Sequence, residues 1–255
     1  MRRGSLATVA MFGIMILAAP GVTAEAADVK VLSAAALRHV LNELGPRFER
    51  ETGHKLAIQY DVVGVLKRQI EGGEQFDVAL LTTPFIADLA KQGKIAAGTS
   101  AHIARSGIGV FVRTGAPKPD IKTAEAFKRA MLGAKSIGYS KEGATAMYLA
   151  TLFDRLGIAE PMKAKTKYLP VGRAAQSVAG GEVELALVVI SAIEPVPGAE
   201  LLGPLPAELQ SYVGYTGGIG TAAKDAKAGK ALLDFLKAPA AVPVLKAKGM
   251  EPITR

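Results

Sequence analysis

Apolar positions change period repeatedly along this chain, from runs at strand spacing to stretches with apolar residues three and four apart. Val29, Val31 and Leu32 form a first short run that stops at the small residues Ser33, Ala34, Ala35 and Ala36. Leu37, Val40, Leu41, Leu44 and Phe48 then recur at helical spacing. The same alternation predicts strands Val29–Leu32, Lys55–Tyr60 and Asp77–Leu80, with helices Ala36–Thr52, Val62–Glu71 and Pro84–Gln92 between and after them. Gly53, Gly72 and Gly93 stand where those helices should end. A βαβαβ order of this kind implies a parallel sheet with right-handed crossovers.

A second series follows. Strand Ile108–Val112 leads into the turn-rich Thr114–Asp120. Helix Thr123–Leu132, strand Lys135–Gly138, helix Ala144–Leu156, strand Lys167–Leu169, helix Arg173–Ala179 and strand Leu185–Ile190 come next. The Pro- and Gly-bearing stretch Glu194–Gly203 suggests a return, after which strand Tyr212–Gly220 and helices Lys224–Lys237 and Pro239–Lys248 complete the chain. The expected architecture is α/β in two lobes, each a mainly parallel sheet flanked by helices. Lobe 1 is discontinuous (27–107 plus 195–255) and lobe 2 is the insert 108–194, joined by a hinge of two crossings.

Ligands of open α/β sheets sit outside the carboxyl ends of the strands. The loops expected there carry Ser33, Ala35 and Ala36; Val63 and Gly64; Thr82; Ser140, Gly143, Ala144 and Thr145; Val171, Gly172 and Arg173; and Ser191. Small residues at a helix start leave N–H groups sterically open at the positive end of the helix dipole, which suits an anion. Ser140 to Thr145 adds hydroxyls, although Ser140 or Thr145 would serve equally as a plain N-cap. Arg173 fits a bidentate carboxylate contact or a solvated first turn.

Composition narrows the chemistry. With no Cys there is no disulfide, thiol nucleophile or cysteine metal site, and His39, His54 and His102 lack ligand spacing. No cofactor and no metal are expected. The charge of +8 is dispersed, and no nucleic-acid-binding motif accompanies it, so the field favours small anions over nucleic acid. Gly218–Ala223 fits the loose G-x-G-x-x-A pattern, but no βαβ unit follows it. Residues 1–26 read as a secretory signal: Arg2 and Arg3, the apolar run Leu6–Ala19, and the A-x-A site Ala24-Glu25-Ala26. Loss of that segment lowers the charge to +7. An exported, periplasmic monomer is expected.

The order and spacing of several elements resemble the type II periplasmic solute-binding proteins, in particular the molybdate-binding branch. The resemblance runs through Val31–Leu37, Phe48-Glu49 with Thr52-Gly53, Val63-Gly64-Val65-Leu66 with Gln69-Ile70 and Asp77-Val78, and Val178 through Gly181-Glu182 to Val189. It implies a hinged binding protein that hands a small anion to the membrane permease of an ABC transporter. The family's oxyanion-binding serines fall on Ala36 and Val63, and its late tyrosine on Val189. A dianion deprived of those donors loses roughly 1.5–3 kcal/mol for each, which points to an organic carboxylate ahead of molybdate or tungstate. Arg113–Pro117, Arg155–Ile158 and Leu202–Gln210 are similar to a divergent branch that includes aconitate isomerase. That likeness implies an isomerase as the alternative, with Glu142, His39 and Tyr148 as conceivable bases.

Overall fold

A computed structural model describes residues 27–253 except 142, 143 and 194. The signal segment, Gly143 and Glu142 therefore lie outside the described residues. Strand β1 (Asp28–Ala34) runs parallel to β2 (Lys55–Asp61) and β3 (Val78–Thr82). Helices α1 (Arg38–Thr52), α2 (Val63–Glu71) and α3 (Thr83–Lys91) follow these strands. The full path is β2-β1-β3-β9-β4-β7-β5-β6, with β4 (Ala101–Arg113), β5 (Ile137–Tyr139), β6 (Thr166–Tyr168), β7 (Leu185–Val189) and β9 (Tyr212–Ile219). Helices α4 (Ala124–Gly133), α5 (Ala144–Arg155), α6 (Ala159–Lys165) and α7 (Ala174–Ala179) belong to the second lobe; α8 (Ala226–Lys237) and α9 (Val242–Ala247) return to the first.

The sheets are mixed rather than mainly parallel, since β4 and β9 pair antiparallel with their neighbours, and each buries both faces. In the first lobe Val29, Val31, Leu44, Phe48 and Leu232 fill one side, and Leu32, Leu66, Ile70, Leu81 and Leu89 the other. In the second lobe Val110, Phe127, Leu149 and Leu187 oppose a smaller cluster around Phe111, Val178 and Ala186. Thr123 and Asp225 cap α4 and α8 by accepting from the N–H groups of Ala126 and Ala228. Asp77, buried at the foot of the sheet, accepts from the N–H groups of Lys30 at 2.8 Å and Lys224 at 2.6 Å.

Strand β4 is what joins the lobes. Ala101–Gly107 pairs antiparallel with β9, whereas Ile108–Val112 pairs with β7. The apolar run predicts only Ile108–Val112; the strand begins at Ala101 because β9 offers Ala101–Gly107 a ladder partner. The return lies later than expected. Ala199–Pro204 forms β8, which pairs with Gly109–Arg113 of β4 and so sits with the second lobe, not with the 195–255 portion of the first. The chain recrosses between Leu205 and Ser211, where Gln210 clamps Ile108 by accepting from its N–H at 2.8 Å and donating to its carbonyl at 3.0 Å. Gly107 makes room for that clamp, since a Cβ there would stand 2.8 Å from Gln210 Nε2. Helix α6 and the two-residue strand β10 (Glu251–Pro252) also went unforeseen. Among the described residues no helix is long and apolar enough to cross a membrane.

Candidate functional site

The carboxyl ends of the strands of both lobes converge on a cleft of about 610 Å³. From the first lobe it is lined by Ala34–Ala36, Arg38 and His39, by Tyr60–Val63 at the β2–α2 junction, and by Thr82. The second lobe supplies Ser140, Thr145, Leu169–Ala174, Gln176 and Leu187–Val189, and β9 brings Val213 and Tyr215 to the floor. That volume is typical of a site for a multi-atom organic ligand, which usually spans about 300–1,000 Å³.

Of the residues expected at the site, Ala35, Ala36, Val63, Thr82, Ser140, Thr145, Val171, Gly172 and Arg173 line this cleft together. Others do not. Ser33 is fully buried and its hydroxyl donates to the Ala34 carbonyl at 3.2 Å, because strand β1 runs on to Ala34 and turns the side chain inward. Ser191 is buried in the turn 190–192, and Gly64 lies off the lining, one residue along α2 from Val63; the Ala144 side chain lies outside what the structure describes. Among the bases considered, His39 lines the cleft, whereas the Tyr148 hydroxyl donates to the Leu209 carbonyl at 2.6 Å away from it.

The cleft is polar in a particular way. Helices α2 and α3 start beside it, behind Val62 and Thr82, with no side-chain cap; the Val65 N–H already donates to the Val62 carbonyl at 2.9 Å, and Pro84 has no N–H to offer. Arg38, at the start of α1, stacks its guanidinium 4.7 Å from the centre of the Tyr60 ring. Burial pushes the Tyr60 phenol above its usual range, and Arg38 opposes the shift. Arg173 stands across the cleft at the start of α7. Among the described residues neither arginine has a carboxylate within 4.0 Å, and both are exposed. Among the described residues Asp61 is the acid of the lining; its Oδ1 accepts from the Val62 N–H at 2.7 Å. Gln176 Oε1 is buried without a hydrogen-bond partner among the described residues. No three His, Asp or Glu among the described residues are placed to hold a metal ion.

Arg38, Tyr60, Asp61, Gln176 and Tyr215 were missing from the expected site. Tyr60 and Asp61 carry a usable signal, since they end a strand whose following loop was already placed at the cleft. Arg38 carried a weaker one, lying just inside the first helix. Tyr215 carries none, because its place at the cleft comes from antiparallel pairing that sets it opposite Thr82, the last residue of β3.

A two-lobed α/β fold with its cleft at the strand ends is the architecture of the periplasmic binding proteins. The chain belongs to the bacterial extracellular solute-binding protein family, whose model matches residues 29–251. It is 29% identical over 255 residues to the aconitate isomerase of Pseudomonas sp, covering 97% of both chains. It is 30% identical over 235 residues to the molybdate-binding protein ModA of Azotobacter vinelandii, covering 89% of this chain and 90% of that one. The fold matches the periplasmic molybdate-binding protein of Azotobacter vinelandii with a TM-score of 0.71 at 20% identity, over 89% of this chain and 99% of the other.

Proposed function

We propose that the protein is an exported, periplasmic solute-binding protein that closes over a small organic anion with more than one carboxylate and presents it to an ABC-type permease. The observation that carries this reading is the pair of arginines without ionic partners, Arg38 from one lobe and Arg173 from the other, lining one cleft. Arginine suits planar bidentate recognition of carboxylate. Two such groups on opposite walls fit a ligand with two anionic ends better than a single tetrahedral ion. Ala36, Val63 and Val189 support the same choice, as all three line the cleft and offer no side-chain donor. Closure of the hinge on the ligand would bring the walls together and exclude water.

The test is a thermal-shift screen with citrate, both aconitates, molybdate, tungstate and sulfate. A ligand at a hundred times its Kd stabilises by about 2.7 kcal/mol. A shift with carboxylates alone supports the proposal; a strong shift with molybdate or tungstate alone refutes it.

A second reading, a periplasmic isomerase of the aconitate type, is favoured by Asp61. This carboxylate lines the cleft with no cationic partner within 4.0 Å among the described residues, so it is available as a proton acceptor. His39 lines the same wall. Absorbance change on mixing the protein with trans-aconitate would establish turnover, and Asp61→Asn should then abolish it while leaving binding. A steady absorbance at high protein concentration returns the protein to the binding class.

A further inference from the structure

The cleft wall at the end of β2 carries opposite charges that do not cancel. Tyr60 packs against the first-lobe core and donates to Asn42 Oδ1 of α1 at 3.3 Å, and its ring holds the Arg38 guanidinium at 4.7 Å. Asp61 is the next residue, and successive side chains of a strand leave opposite faces. Arg38 and Asp61 both line the cleft, yet they make no ion pair. The stack on Tyr60 gives the guanidinium a resting place other than the carboxylate beside it.

Asp61 is partly buried, and its local bond accounts for one oxygen only: Oδ1 accepts from the Val62 N–H, while Oδ2 makes no hydrogen bond among the described residues. Its ladder partner is Ala34, and Ala34–Ala36 line the cleft with nothing longer than a methyl group. No neighbouring side chain from β1 therefore competes for Oδ2. A lone carboxylate in a site for anions works against a ligand made of carboxylates alone, since like charges brought together are penalised. The same oxygen rewards a ligand that brings an O–H or N–H donor to it. Arg38 and Arg173 remain to take two carboxylates of that ligand.

We propose that the ligand is a di- or tricarboxylate that also carries a hydrogen-bond donor, a hydroxyl or an ammonium, and that Asp61 selects it by accepting from that donor. Citrate, malate and aspartate meet the requirement. Succinate, tricarballylate and the aconitates, fully ionised, have no donor and leave Asp61 Oδ2 facing another anion. The proposal rests on the anion reading above and narrows its substrate class.

The experiment is calorimetric titration at pH 7 of the wild type and Asp61→Asn with two matched sets of probes, alongside unliganded melting temperatures. One set is succinate, malate and aspartate; the other is tricarballylate and citrate. Asparagine keeps an oxygen for the Val62 N–H, so the fold should persist. In the wild type a donor-bearing acid should bind about tenfold or more tightly than the bare acid of its set, because a site built to bond a ligand hydroxyl rejects the analogue without it. In Asp61→Asn the gap should close from both sides: the donor-bearing acid weakens, and the bare acid, relieved of the repulsion, tightens. Malate ahead of aspartate assigns the hydroxyl, and the reverse order the ammonium. Equal binding of bare and donor-bearing acids by the wild type overturns the proposal, as does a preference that survives unchanged in Asp61→Asn. A wild type that binds none of the five acids overturns the anion reading itself, a result distinct from either of these.

Discussion

Replacing Arg173 or Arg38 with alanine tests the carboxylate reading where it is most exposed. Neither guanidinium is ion-paired among the described residues and both are exposed, so neither should matter much to the unliganded fold. Arg173→Ala should leave unliganded stability within about 0.5 kcal/mol. Arg38→Ala should cost slightly more, about 0.5–1 kcal/mol, because it also loses the stack on Tyr60 at 4.7 Å. Binding should respond very differently. A hydrogen bond to a charged group contributes roughly 1.5–3 kcal/mol, and every 1.4 kcal/mol is about tenfold in Kd. Each single variant should therefore bind a dicarboxylate or tricarboxylate about ten- to a hundredfold more weakly. Isothermal titration at low and high salt separates this from the general field: a loss due to net charge shrinks in salt, whereas a loss of bidentate contact persists. Arg173→Lys keeps the charge and should recover only part of the affinity. Unchanged affinity for every carboxylate in both alanine variants would refute the reasoning.

Three further outcomes are expected. Gly107→Ala should destabilise by about 1–3 kcal/mol, because its Cβ would displace Gln210 from Ile108, and the penalty should largely vanish in a Gln210→Ala background, as read by urea denaturation. Gln176→Met replaces an amide whose buried oxygen has no partner and should raise unliganded stability by about 1 kcal/mol; a lower melting temperature would show that the amide is satisfied. Glu49 accepts from the Leu56 N–H at 2.8 Å, and that bond, with Lys55 assisting, holds its carboxyl below the usual value of 4.5 against the opposing effect of burial. Its stabilisation is then present above pH 4.5 and lost as pH falls through the depressed folded value. Glu49→Gln should accordingly destabilise at pH 7, and the penalty should shrink as pH falls below 4.5.

Local pattern and tertiary assembly divide this protein unevenly. The shift between strand and helix spacing from Val29 to Phe48 predicts β1 and α1, and the same signal repeats through α8, because burying one face of each element leaves a period in the chain. The placement of Ala35, Ala36, Val63 and Thr82 at one end of a parallel sheet follows from that order alone, since strands related by right-handed crossovers all end on the same edge. The crossings were a different matter. The seven residues from Ala101 to Gly107 and the strand Ala199–Pro204 have weak local preference, and they are strands because β9 and the second half of β4 offer them ladder partners. The depth of side chains at the cleft was likewise set only in three dimensions. Continuation of β1 to Ala34 withdraws Ser33, and the fixed turn after β7 withdraws Ser191, while antiparallel β9 delivers Tyr215 from mid-strand to the floor. The sequence determined the elements and the end of the sheet where a ligand belongs; contacts between residues far apart in the chain decided which side chains meet it there.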